Sequence, residues 1–509
     1  MFIREVRNRS GSISIQIISK AHGVYKVIKT IDSATTLQEI TALKIQARQE
    51  KERLEGQRSL FISKQDKIIE DTIAQLSNSN IRTVGPELIF GKIYDYIGYG
   101  AIAEEMFRHL VIARLAFPLS KLKTTEYLYR YQGISLNINT VYRFLDKLNN
   151  KFKSQVEEIS YKHTLSILKG KISVVFYDMT TLYFESADED DLRKTGFSKD
   201  GKHQCPQIFI GLLVASGGYL IGYDIYEGKT YEGHTLIPFI EKISKKFSLD
   251  KPIVVADSGL LSKDNLKLLE KNGYEYILGA RIKNESHDIR EFILNQQYKN
   301  NQCITINKTE NVRLVIHYSS KRAKKDSYNR ERGLQRLEKK IKSGKLTKSN
   351  INNRGYNKYL KMEGEVNISI DVEKYEMDAG WDGLKGYITN AKLDNQTILE
   401  NYRDLWHIEK AFRMSKTDLR IRPIYHRLKE RIEAHICIAF TAYTVYKELE
   451  RILYENNSSI SLKIAAEITH NMYQVEYKLP DSKHSKSILL KMDEKQQELY
   501  DLVHKNFST

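Results

Sequence analysis

Residues 172–184 read ISVVFYDMTTLYF and residues 252–257 read PIVVAD. Both are runs of β-branched, aliphatic and aromatic residues bounded by polar segments, so both predict strands. Each carries an aspartate where an apolar side chain would ordinarily stand. Asp178 lies mid-strand among Val174, Val175, Phe176 and Leu182, and Asp257 ends its strand two residues before Gly259. An ionised carboxylate in such a place is costly unless a cation or a hydrogen-bond network meets it. One strand-end aspartate usually caps a turn, so the pair is the stronger signal.

The elements around these strands predict the layer they belong to. Residues 203–223 contain no Asp, Glu, Lys or Arg, but Ser216-Gly217-Gly218 divides them into runs of strand length. A membrane-spanning helix needs about 20 predominantly apolar residues, whereas this punctuation predicts a β-hairpin over 207–226. Thr235–Phe247 has helical spacing, Ser262 is placed to N-cap the next helix, and Gly273 to end it. Tyr276–Arg281 is a fifth strand. The order β-β-β-α-β-α-β is a mixed α/β layer. In such a layer the first and fourth strands can be neighbours, which brings Asp178 and Asp257 to one sheet edge. Two aspartates with no nearby His or Cys suit hard, oxygen-seeking Mg²⁺ or Mn²⁺.

The chain has 509 residues, 41% hydrophobic, with three scattered cysteines and a net charge of +17. That composition supports a sizeable core in a reducing compartment and excludes a disulfide scaffold. With no signal-peptide pattern at the N-terminus, a soluble cytoplasmic protein is expected. Six regions follow: a β-hairpin plus helix at 1–60, a mainly helical region at 61–168, and the first part of the α/β layer at 169–283. A β-rich basic insertion occupies 284–383, with strands expected at 302–319 and 364–376. The second part of the layer spans 384–456, and a tail covers 457–509. Within the helical region, Thr124–Tyr131, a turn at Gly133 and Asn139–Asn149 have the layout of a helix-turn-helix, which would bring Arg143 and Lys147 to DNA.

From about Thr397 to Ser415 the pattern predicts one long helix. Tyr402, Glu409 and Lys416 are spaced by seven residues, nearly two turns, so on one helix they share a face. A tyrosine, a carboxylate and a lysine in one stripe suit a phosphodiester site. Gly228-Lys229-Thr230 lacks the glycine of a phosphate-binding loop at 223, where Tyr223 stands, and no HExxH pair occurs. Trp381 and Trp406 are expected to pack inside.

The acids in VVFYDMTTLYF and IVVADSGLLS, followed by Y-x6-E-x6-K, resemble the catalytic constellation of bacterial insertion-sequence DDE transposases. The branch with the Y-R-E-K signature and a β-rich insertion before the glutamate helix is the most similar. The resemblance implies an RNase H-like fold and two Mg²⁺ (or Mn²⁺) ions held by Asp178, Asp257 and Glu409. It implies phosphate contacts by Tyr402 and Lys416. Leu405 stands where the signature arginine is expected, so Arg403 or His407 would substitute. Further implications are cleavage at terminal inverted repeats, transfer of 3′-OH ends to target DNA, and a homodimer in a synaptic complex, bound to the bacterial nucleoid. The competing readings are an RNase H-like nuclease without strand transfer and a non-catalytic, domesticated DNA-binding protein.

The surplus charge is concentrated. Residues 321–361 hold 15 Lys+Arg against three Asp+Glu, leaving only +5 for the rest of the chain. A basic run is usually a solvated face. This one interrupts the layer just before the Glu409 helix, so Lys324, Lys325, Lys339 and Lys340 are expected to cradle double-stranded DNA beside the site.

Overall fold

The alternation ISIQI at residues 13–17 makes a two-faced strand, and in the computed structural model it forms the middle of a small sheet. Strands β1 (Phe2–Arg7), β2 (Ile13–Ala21) and β3 (Val24–Ala34) pair antiparallel. The helix Leu37–Leu54 supplies Ile40 and Ala47 to cover Ile15 and Ile17. The hairpin expected here has thus gained a third strand. The structure describes residues 1–507 except 22, 55–68, 72, 75, 78–79, 200, 261, 345, 348–349, 353–354, 364–366 and 479–483. The expected boundary at 60/61 and part of the expected strand at 364–376 lie outside the described residues. The chain divides into two units, Met1–Ile81 with Val475–Ile488, and Arg82–Gln474 with Leu489–Thr509. A short strand, β4 (Ile81–Thr83), falls at their junction in sequence.

The second unit is built on an eight-stranded sheet. Its strands are β5 (Val174–Tyr183), β6 (Gln207–Ala215), β7 (Leu220–Glu227), β8 (Ile253–Ala256), β9 (Tyr276–Ala280), β10 (Cys303–Asn307) and β11 (Arg313–Tyr318). After a separate ribbon of β12 (Leu360–Glu363) and β13 (Asn367–Ile370), β14 (Leu384–Thr389) completes it. The spatial order is β10-β11-β14-β9-β8-β5-β6-β7. As expected, the first and fourth strands of the layer are neighbours: β5 and β8 run parallel, with Tyr177 registered against Ala256. The fold is mixed α/β and RNase H-like.

The insertion contributes to this sheet. The strands expected at 302–319 form β10 and β11, which extend the sheet through β14. The lysine-rich run folds as the helix Ser320–Lys342. Its half-buried and buried positions, Ala323, Asp326, Ser327, Arg330, Gly333, Leu334, Leu337 and Ile341, recur at helical spacing. Of these, Leu337 and Ile341 pack in a small core with Tyr356, Tyr359 and Leu360. A side chain at Gly333 would meet the Tyr356 ring at 2.3 Å, so glycine permits the contact. The 364–376 segment is β13 only to Ile370 and then the helix Val372–Ala379.

The helix Lys429–Glu455 is apolar on nearly every side and is buried along most of its length. Residues 87–167, within the helical region expected at 61–168, share its core. Phe90, Phe107, Val141 and Leu148 join the same cluster as Phe176 and Leu212 of the sheet. Leu499, Val503 and Phe507 of the expected tail belong to it too. Among the described residues no helix is long and apolar enough to cross a membrane.

Where this helix meets the segment after the Glu409 helix, His426 and His435 are buried with rings 5.6 Å apart. The His435 Nε2 lies 2.8 Å from the Ile421 carbonyl, to which it donates. Burial, and then Lys121, hold the His426 pKa down to about 3 and that of His435 well below its ordinary value. The unfolded chain therefore takes up these protons first. Their stabilising contribution is complete above about pH 6.5 and is lost as pH falls below it. At pH 5.5 each histidine should cost about 1.4 kcal/mol. Thermal melts at pH 7.5 and 5.5 should differ by several degrees, and His426→Gln should narrow that gap. An equal gap in the variant would show that His426 carries none of the acid sensitivity.

Candidate active site

Strand pairing alone brings the first two carboxylates together. Asp178 and Asp257 each lie one residue beyond the registered pair Tyr177 and Ala256, on strands about 4.8 Å apart. Asp178 keeps 27% of its side-chain surface. Its Oδ1 accepts from the Met179 amide at 2.7 Å and from the Lys199 ammonium at 3.5 Å. Burial pushes the Asp178 carboxyl up to about 6, against the pull of Lys199.

Lys199 arrives from the connection between β5 and β6. Its amide donates to Thr181 Oγ1 at 3.2 Å, and its ammonium also reaches the Met179 carbonyl at 2.5 Å and Glu232 Oε1 at 2.9 Å. Burial opposes this charge, but Asp178 and Glu232 outweigh it and hold the lysine pKa above its usual value. Glu232 also borders the turn after Asp257, because a side chain on Gly259 would lie 3.8 Å from its Oε2.

Asp257 is met from the other side. The Tyr402 hydroxyl donates to Asp257 Oδ1 at 3.0 Å. Gly279 makes room for it, since a Cβ there would stand 2.5 Å from the phenol oxygen. Burial, then the Asp257 charge, raise the Tyr402 phenol above its ordinary range. The Lys385 ammonium lies 4.3 Å from the Tyr402 ring centroid. Burial and then Arg322 lower the Lys385 pKa, while Asp257 and Glu409 act to raise it. Asp257, Glu409, Tyr402 and Lys385 therefore share one electrostatic neighbourhood.

The single long helix expected through Tyr402, Glu409 and Lys416 is instead two. Asn395–Arg403 and Trp406–Thr417 are separated at Asp404 and Leu405, where tight bonds from Leu405 N to Tyr402 O and from His407 N to Asp404 O close the turn. Tyr402 is buried against Asp257 from the first helix. Glu409 is exposed in the first turn of the second, and Lys416 is in its last. Through this turn Asp404 and Leu405 keep right-handed helical backbone angles, and the Glu409 charge still acts on the Tyr402 phenol.

The remaining expected residues are distributed more widely. Leu405 is buried in the main core, so its position is apolar here by packing. Arg403 is exposed, and its charge reaches His317 and Tyr387. His407 packs over the Ser216–Gly218 turn and its pKa is held to about 4 by burial and Lys447, so it is neutral. Trp381 is half-buried as expected, whereas Trp406 is 46% exposed. Arg143 and Lys147 lie on the helix Ile138–Lys147, where Lys147 pairs with Glu104. Lys324, Lys325, Lys339 and Lys340 are all on the exposed face of the insertion helix. Arg322 in its first turn acts on Lys385, and Lys339 lies roughly 22 Å beyond Lys324 along the axis.

Three residues of this site went unread in the sequence: Lys199, Glu232 and Lys385. Lys385 had a usable signal, a charge inside the apolar strand LKGYIT. Lys199 and Glu232 had none, since both sit in polar connections.

All the converging donors are carboxylate oxygens, the ligand type of a hard divalent ion. Glu232 Oε1 is buried and among the described residues faces no donor except the Lys199 ammonium. Among the described residues no three carboxylates or imidazoles close around one point tightly enough to enclose a metal ion.

A family model described as "Transposase DDE domain" matches residues 169–445. No curated protein matches the sequence. A solved piggyBac transposase synaptic complex with hairpin DNA aligns at 9% identity and a TM-score of 0.40, over 76% of this chain and 78% of that one. The Mos1 transposase paired-end complex with left transposon end aligns at 13% identity and TM-score 0.16, over 34% and 58% of the two chains. The Mos1 mariner paired-end complex with Mn gives 12%, 0.15, 31% and 54%.

Tyr402→Phe keeps the ring against Lys385 and Tyr387 and removes only the bond to Asp257. It should cost about 1–2 kcal/mol, a fall of about one to two degrees in a thermal melt. An unchanged melting temperature would mean that water replaces the hydroxyl without loss.

Proposed function

We propose, from the premise that this chain belongs to the transposase DDE domain family, that it cleaves the terminal inverted repeats of its own insertion sequence and transfers the 3′-OH ends to target DNA. Asp178 and Asp257 on adjacent parallel strands, with Glu409 in the same neighbourhood as Asp257, carry the proposal. These three would hold Mg²⁺ or Mn²⁺, an assignment supported by their all-oxygen chemistry. Bound divalent ions activate a hydroxyl nucleophile and stabilise the departing oxygen.

The other side chains position and neutralise. Tyr402 fixes the rotamer of Asp257 through its hydrogen bond. Its phenol is committed to that carboxylate, so phosphate contacts fall to Arg403, Arg322 and Lys416. The exposed face of the insertion helix, with Lys324, Lys325, Lys339 and Lys340, lies on from Arg322 and is suited to track a DNA backbone. Arg143 and Lys147, in the helical region expected at 61–168, would add a further DNA contact, with Lys147 first releasing Glu104. Two copies would pair the two ends in one synaptic complex.

Asp178→Asn and Glu409→Gln should each reduce Mg²⁺-dependent cleavage of cognate ends at least 100-fold while leaving DNA binding within about twofold. Wild-type cleavage in either variant would remove that residue from the site. A target plasmid in the same reaction distinguishes joining from cutting: linear ends alone would indicate a nuclease. Replacing Lys324, Lys325, Lys339 and Lys340 by glutamine should weaken binding and lower the slope of log K against log salt by about 2–4. An unchanged slope would return the helix to an ordinary solvated face.

A further inference from the structure

The carboxylates of the site are not bare. One ammonium group, carried on a polar connection between β5 and β6, stands between two of them. Lys199 Nζ is 2.9 Å from Glu232 Oε1, 3.5 Å from Asp178 Oδ1 and 2.5 Å from the Met179 carbonyl. These are three oxygen partners of the kind a hard metal ion would claim, and a tethered monovalent cation holds them. We propose that Lys199 is a positioning residue that occupies the cation place at Asp178, so that a divalent ion enters only as the lysine moves off Asp178 and onto Glu232 alone. This rests on the assignment of Asp178 as a metal ligand in the preceding section.

Three observations lead there. The contact to Glu232 is the shorter of the two carboxylate contacts, so the lysine keeps its stronger partner when it gives up Asp178. Glu232 is half-buried at 23% of its side-chain surface, and among the described residues its Oε1 faces no other donor. It is therefore available to retain the displaced ammonium. Finally, the lysine backbone is anchored, through its amide bond to Thr181 Oγ1, to the same strand that bears Asp178. Only the four-carbon stem has to swing, and its terminal atom reaches either carboxylate from one fixed Cα.

A lysine on Asp178 neutralises the central carboxylate before any metal arrives, which lowers the cost of keeping it in the sheet. The same lysine competes with the metal, which weakens binding in the absence of DNA. The metal-free protein is thereby kept folded with its site closed by an internal ion pair.

The test is a Mn²⁺ titration of the full-length protein without DNA, followed by the loss of the free-Mn²⁺ electron paramagnetic resonance signal. Lys199→Met should bind the first Mn²⁺ about tenfold more tightly than wild type. Lys199→Arg, which keeps the charge, should stay within about threefold of wild type. Glu232→Gln, which removes the lysine's second post, should bind about threefold to tenfold more weakly. Circular dichroism melts show whether each variant folds, and Lys199→Gln replaces Lys199→Met if the latter does not.

Unchanged or weaker affinity in the neutral variant, with Asp178→Asn still abolishing binding, would overturn the lysine proposal and leave the metal assignment standing. Mn²⁺ binding that persists in Asp178→Asn, or is absent from wild type, would overturn both.

Discussion

A carboxylate in the middle of a central strand is the constraint around which this molecule is arranged. Asp178 belongs to β5, flanked by β6 on one side and β8 on the other, with apolar neighbours along the strand. Sheet pairing satisfies its backbone but leaves the charge to be met by something brought from elsewhere. The Met179 amide and Lys199 meet it. The position that makes the aspartate expensive is also the one that sets it, like Asp257, one residue beyond the registered pair Tyr177 and Ala256. The cost of the charge and the pairing of the two acids have a single origin here.

The surrounding architecture serves to keep that arrangement in place. Tyr402 crosses from a helix that follows β14 and reaches Asp257 only because Gly279 lacks a side chain. The Lys429–Glu455 helix, buried on nearly all faces, ties the sheet to the helices of residues 87–167 in one core. The turn at Asp404 and Leu405 has a similar logic. Leu405 is buried in that core at the turn; Tyr402 before it meets Asp257, and Glu409 after it is exposed.

The insertion shows how composition and placement differ. Its basic surplus is legible as a count, but the helix that displays it is amphipathic in an unusual sense. The inner face uses Gly333, Leu337 and the stem of Arg330, whose head pairs with Asp382, and the lysines occupy what remains. Lysines at such positions have their stems free to lie along a partner and their charges in water. Burial thus leaves most of the helix's charges on the outside.

Much was determined by the sequence alone. The β5, β8 and β14 strands, the hairpin at Ser216–Gly218, the Ser262 cap and the order of elements all follow from local patterns of apolar, capping and turn residues. So do the candidate acids, because a carboxylate inside an apolar run violates the pattern that surrounds it. Only the tertiary structure decided which charges meet those acids. Lys199 and Glu232 lie 21 and 54 positions beyond Asp178, in connections without periodicity, and nothing local records that they converge. The turn between the Tyr402 and Glu409 helices likewise falls where Leu405 is buried in the main core, a long-range packing contact. Periodicity encodes which face of an element is apolar, but the partner of a polar atom depends on chain crossings, and those exist only once the sheet has formed.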